Sequence, residues 1–229
     1  MTMMLVSCDE HQDFPDTTSK VCDILCTDGK VVSQSQYDQG GKEAIAVVFY
    51  INHSEDVEGK GFAVYLWDIG PFAFADSLGV KQGTSTSVTM MDGNQNTDNL
   101  LECKDMGSPM ATAVFDMWKY RQSAYVPSVA QMQLLYGARY QVNAVIRKLG
   151  GDPLPADADE CWYWTSTEVE NQESMKAWVY SLSAGERQQL QSTSYSHNIS
   201  VIHGRNQRPY QRLLHIPYSH LCVCPAGVL

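Results

Sequence analysis

The sequence predicts an α+β fold, with strands first, helices in the middle and strands again. Three observations carry this. Two continuous apolar runs, Ala44–Ile51 and residues 61–67, flank a polar stretch containing Gly59 and read as two paired strands with a long loop. Met132, Leu135, Tyr136, Val142, Val145, Ile146 and Leu149 then fall on one face at helical spacing. From residue 162 the pattern returns to aromatic and β-branched stretches, at 162–165 and 177–182. Segregated strands and helices favour α+β over a doubly wound parallel sheet.

Taken in order, residues 9–20 are polar and acidic, contain Pro15, lack periodicity and read as a tether. Residues 21–69 read as strands, with Val31 and Val32 following the turn signal Thr27-Asp28-Gly29. Residues 81–98 are rich in Gly, Ser, Thr, Asn and Asp and read as loop. Residues 98–122 are compatible with helix, interrupted at Gly107-Ser108-Pro109, where Ser108 is placed to cap a second piece beginning at Pro109. Ser128 and Gln131 form a capping-box signature ahead of the periodic stripe, and Gly150-Gly151 followed by Pro153 ends it. Arg139, Arg147 and Lys148 are expected on the solvated face or at the C-terminal end of this helix. Ala184-Gly185-Glu186 reads as a turn, and two more short strands are expected around 198–202 and 208–214. No internal repeat is evident.

The chain has 229 residues, 44% hydrophobic and 18% charged, which is enough apolar material for a packed core. Its net charge is −10, which argues against nucleic-acid binding, a function that needs a basic face. The acidity is uneven: residues 1–110 hold 17 acidic and 6 basic residues, and the remainder is close to neutral. The C-terminal region, with Arg187, Arg205, Arg208 and Arg212, is therefore open to an anionic glycan. The longest apolar run falls far short of the ~20 residues of a membrane helix.

Seven cysteines are present. Cys22 and Cys26, like Cys222 and Cys224, lack the paired spacing of a structural zinc site, and Cys26, Cys103 and Cys161 read as buried thiols. His197, His203, His215, His220, Cys222 and Cys224 form a His/Cys-rich stretch whose spacing matches no established metal site. No phrase for a metalloprotease helix, phosphate loop, nucleophile elbow or dinucleotide fold occurs. No catalytic residue, metal or cofactor is therefore expected.

The N-terminus reads Leu5-Val6-Ser7-Cys8, followed by Asp9, Glu10, His11, Gln12 and Asp13. It resembles a bacterial lipobox with the acidic export signal of surface lipoproteins. The resemblance implies lipidation at Cys8 and an outer-membrane, cell-surface location, with membrane contact through the lipid alone. Only seven residues precede Cys8, with no basic or full apolar leader. Either the leader begins upstream of Met1, or Cys8 is a free thiol in the tether.

Several phrases occur together. They are Ala124-Tyr125-Val126-Pro127-Ser128, Tyr163-Trp164-Thr165-Ser166-Thr167-Glu168, Lys176-Ala177-Trp178 with Gly185, and Gln207-Arg208-Pro209-Tyr210. Upstream are residues 23–29, Asp-Ile-Leu-Cys-Thr-Asp-Gly, and 91–97, Met-Asp-Gly-Asn-Gln-Asn-Thr. In this order they resemble a bacterial domain family, in its Bacteroidetes subgroup, that includes the C-terminal domain of collagen-like adhesins. The resemblance covers roughly residues 21–214. It implies a C-type-lectin-like domain with a mixed, mostly antiparallel sheet, two main helices and a role in surface binding or adhesion. It carries over no catalytic residue, and the triplets of calcium-dependent sugar binding are missing. Residues 1–20 are then lipobox and tether, and residues 215–229 a tail of unassigned role.

Within that frame, Trp164 and Trp178 read as core. Trp162, on the same strand face as Trp164, is a candidate for stacking on a sugar. Residues 194–207 mix Tyr, Ser, His, Asn and Arg as recognition surfaces do, above Ile199, Val201 and Ile202 as apolar anchors. The candidate ligand residues are Trp162, Tyr195, His197, Asn198, His203, Arg205 and Asn206. The expected ligand is a glycan or a protein on another surface. Two alternatives stay open: a structural or tip subunit of a surface assembly, and a variable binding protein diversified by a retroelement.

Overall fold

The computed structural model describes residues 18–53, 61–68, 71–115, 124–157 and 162–193. Their order is β1 (Ile24–Cys26), β2 (Val31–Val32), α1 (Gln34–Tyr37), β3 (Ala44–Ile51), β4 (Gly61–Tyr65), α2 (Gly93–Glu102), α3 (Pro109–Phe115), α4 (Val129–Lys148), β5 (Trp162–Glu168), β6 (Lys176–Ser181) and β7 (Arg187–Gln191). The strands form two antiparallel sheets, β2-β1-β3-β4 and β5-β6-β7. The expected α+β class holds.

Strand β3 is buried on both faces, which explains why it reads as an unbroken apolar run. Val47 and Phe49 join a core with Met132, Leu135, Val142 and Ile146 of α4. Ala46 and Val48 join a second core with Met110, Ala111 and Val114 of α3 and Leu100 of α2. The other sheet repeats this alternation. Tyr163 and Tyr180 enter the first core, and Trp164 and Val179 enter the second, where Trp164 meets Phe74 at 5.8 Å between ring centres.

The helix ends follow their signals. Gln131 Oε1 accepts from the Ser128 amide at 2.9 Å, and Ser128 Oγ accepts from the Gln131 amide at 3.4 Å, completing the capping box. At the other end Gly150 has φ +73°, a left-handed conformation a side chain would resist. Its amide donates to Arg147, and the next amide donates to Ile146, which is a Schellman termination. Ser108 Oγ accepts from the Ala111 amide at 3.2 Å and donates to the Phe74 carbonyl at 2.7 Å, so it caps α3 and ties it to a loop.

Several expectations need correction. Residues 93–98 are helical rather than loop, because Asn96 and Thr97 are buried and hydrogen-bonded into the fold, overriding poor propensity. The stretch 21–69 contains one helical turn, α1, capped by Ser33 and Gln36 in the same box as α4. Arg139 is not on a solvated face; it is half-buried between two tyrosine rings, whereas Arg147 and Lys148 are exposed. Trp178 is half-buried at the margin of the first core rather than inside it, while Trp164 is 2% exposed.

Cys26 is buried and free, as read; Cys103 is also free but only half-buried, not buried as expected, and Cys22 is half-buried. Cys161, the strands expected at 198–202 and 208–214, and the tail at 215–229 lie outside the described residues. Among the described residues no helix is long and apolar enough to cross a membrane.

Candidate functional site

Two features stand out: a buried carboxylate that pins a loop, and a surface of stacked rings and guanidinium groups. The first grows from the end of β5. Thr165, Ser166, Thr167 and Glu168 are all buried, an unusual run of polar side chains in a core. Each finds a partner. Thr165 Oγ1 donates to the Trp178 carbonyl at 2.8 Å, Ser166 Oγ accepts from Asn96 Nδ2 at 3.3 Å, and Thr167 Oγ1 accepts from the Val129 amide at 3.2 Å. Glu168 accepts from the Gln82 amide at 3.0 Å, and from the Thr84 amide and hydroxyl at 3.1 and 3.0 Å. Asn96 Oδ1 takes the Ser85 amide at 2.8 Å, and Asn99 Nδ2 donates to the Gly83 carbonyl at 2.7 Å. Residues 82–85 are thereby fastened between β5 and α2.

Among the described residues no cation pairs with Glu168. Burial pushes its carboxyl above the usual carboxylate range, against the donors from Gln82 and Thr84 that pull it down; Glu173 adds a smaller upward push. A perturbed carboxylate is an acid–base candidate. Here both oxygens are occupied by internal donors and the residue is 1% exposed, so the geometry assigns it to holding the loop.

The second feature lies where α4 crosses the β6–β7 hairpin. Trp178 pairs with Gln189 and Tyr180 with Arg187, so these four side chains share one sheet face. Tyr136 of α4 meets Tyr180 edge-on at 6.4 Å. Gly185 at the hairpin turn has φ +73°, and a Cβ there would stand 2.6 Å from Tyr136 Cζ, so only glycine admits this approach. The Arg139 guanidinium lies 3.7 Å from the Tyr136 ring centre and 4.4 Å from that of Tyr140. Arg187 lies 5.3 Å from the Trp178 ring centre. Cation–π contacts of this kind are worth about 0.5–1 kcal/mol each at exposed sites. Tyr140 is 55% exposed and its hydroxyl donates to Asp157 at 3.3 Å; Arg187 and Gln189 are also exposed.

Of the residues singled out from sequence, Trp162 opens β5, pairs with Ser181 and is half-buried against the second core. It therefore faces away from the Trp178–Tyr180 side of the sheet. Cys8, Tyr195, His197, Asn198, His203, Arg205 and Asn206 lie outside the described residues. The ring–guanidinium surface escaped sequence reading because its parts are far apart in the chain. The one available signal was Tyr136, Arg139 and Tyr140 at helical spacing, which puts them on one face.

Among the described residues no three His, Cys, Asp or Glu side chains stand close enough to hold a metal ion. No protein-family model, curated protein or solved structure matches the chain.

Proposed function

We propose that this chain is a non-catalytic binding domain of C-type-lectin-like fold, displayed on a bacterial outer surface through a lipid at Cys8. One observation carries the binding role. A row of rings and guanidinium groups, exposed at Tyr140 and Arg187 and half-buried at Tyr136, Arg139 and Trp178, is held in place by α4 and the β6–β7 hairpin. Rigid aromatic and arginine side chains supply contact area at low entropic cost, as binding surfaces require. The antiparallel sheets and the strand–helix–strand order support the lectin-like reading, and the polar phrase at 165–168 serves as scaffold.

Two measurements test this. The purified chain is screened against glycans, mucins and matrix proteins; binding to at least one class is expected, and failure against all of them refutes the ligand role. Metabolic labelling of the native host with a fatty acid tests the anchor, with label expected on the protein expressed from its own gene and upstream sequence and lost in Cys8→Ala. An unlabelled parent chain removes the surface assignment.

A further inference from the structure

Strand β7 presents an open outer edge. The Ser181 amide donates to the Glu186 carbonyl at 2.8 Å, and the Ser192 amide to the Met175 carbonyl at 2.9 Å, so hydrogen-bonded pairs close both ends of the β6–β7 ladder. Antiparallel pairs alternate, and the register runs without a bulge, so Gln188 and Leu190 are the other residues that bond β6. The amides and carbonyls of Arg187, Gln189 and Gln191 therefore point away from β6. Among the described residues no backbone group meets them. Exposed edges are normally guarded by proline, lysine or a bulge. Strand β7 has none of these, and its one charge, Arg187, stands at the turn end. On the side of the second core, Leu190 is only half-buried.

The chain continues directly from this edge. Residues 194–229 follow β7 and lie outside the described residues. Within them Asn198-Ile199-Ser200-Val201 alternates polar and apolar, and Ile199, Val201 and Ile202 are β-branched.

We propose that residues 198–202 dock on the outer edge of β7 as an antiparallel strand added to that sheet. Sequential strands are commonly neighbours, and the connection from Ser192 to His197 has an ordinary length. The pairing sets Gln191 opposite Asn198, Gln189 opposite Ser200 and Arg187 opposite Ile202, which gives the outward amides and carbonyls their partners. Ile199 and Val201 then stand opposite Leu190 and Gln188, on the side of the second core, and Ile199 completes the cover of Leu190. A slip by one residue would turn both to water, so the pattern fixes which residues face the core. Tyr195 and His197 fall in the connection, beside Asn198 and Gln191 at the open end of the hairpin. The docking goes beyond the binding reading and does not depend on it.

The test follows hydrogen exchange by NMR on the full chain. The amides of Arg187, Gln189 and Gln191 are expected to exchange at least about a hundredfold slower than unstructured amides. In Ile199→Asp with Val201→Asp they should speed up at least about tenfold, while Gln188 and Leu190, bonded to β6, keep their protection. Fast exchange at the three amides of the native chain overturns the inference. Slow exchange that the double variant leaves unchanged overturns it too, and if that protection rises with protein concentration the occupant is a second copy. A readout without any variant is the Hα–Hα contact between Leu190 and Ile199 or Val201. Residues facing each other in a non-hydrogen-bonded pair stand about 4.5 Å apart at Cα, so an NOE is expected there. Its absence refutes the docking even if the double variant fails to fold.

Discussion

Glu168→Gln separates two forces that oppose each other at one atom pair. In the native chain the carboxylate takes three hydrogen bonds, one from Gln82 and two from Thr84, while fully withdrawn from water. A glutamine keeps one acceptor oxygen. Placed toward Thr84, it retains two of the three bonds, and its NH2 then faces the Gln82 amide, donor against donor. Losing one bond to a charged acceptor costs about 1.5–3 kcal/mol, and relief of carboxylate burial offsets part of this. The net is about 2 kcal/mol at neutral pH, a fall in melting temperature of roughly 4–8 °C for a chain of this size. The pH dependence is the sharper readout. Because burial raises the folded value of the Glu168 carboxyl, the folded state binds its proton more tightly than the unfolded state does. That stability is fully present below the unfolded value, about 4.3, and is lost as pH rises through the folded value. The advantage of the parent chain over Glu168→Gln should therefore widen from pH 7 to about pH 4 in paired melting scans. A constant or shrinking gap would mean the three donors outweigh burial, and the reasoning would fail.

Gly185→Ala should cost about 2 kcal/mol or more, from the left-handed backbone and the displaced Tyr136 ring, read as a lower urea midpoint at unchanged slope. Asn143 is buried and bonds both the carbonyl and the amide of Leu154, at 2.8 and 2.7 Å. Asn143→Ala should cost about 2–4 kcal/mol and speed hydrogen exchange at the Leu154 amide; unchanged exchange there counts against the assignment. Ser128→Ala loses the α4 cap and the bond to the Met90 carbonyl, about 1–2 kcal/mol by denaturant titration. Lys81→Ala breaks an exposed ion pair with Glu173 and should move stability by less than about 0.5 kcal/mol.

What was legible in the sequence was local. The Ser128–Gln131 box, the Gly150 termination, the Ser108–Pro109 start and the apolar run of β3 each carry their cause within a few residues. What was missed depends on distant partners. Residues 93–98 look like loop until Asn96 is seen bonded to Asp92, Ser85 and Ser166. Strand β7 has no apolar alternation, and its pairing with β6 makes it a strand. Arg139 reads as solvated until its helix neighbours Tyr136 and Tyr140 are seen to enclose it. The twin box at Ser33 carries the same local signature, but it caps a single turn inside a strand-like stretch, too short to show a helical period.

Strand β7 has a consequence for how such a domain diversifies. Arg187, Gln188, Gln189 and Gln191 are exposed, and only Leu190 leans on the second core. The ladder to β6 is made by backbone, so it tolerates almost any side chain at those four positions. Descendants of this sequence are therefore free to exchange Arg187 and Gln189 for other groups, altering the chemistry the hairpin presents, while the cores that fold the chain go untouched. Innovation at the rim is decoupled from the survival of the scaffold.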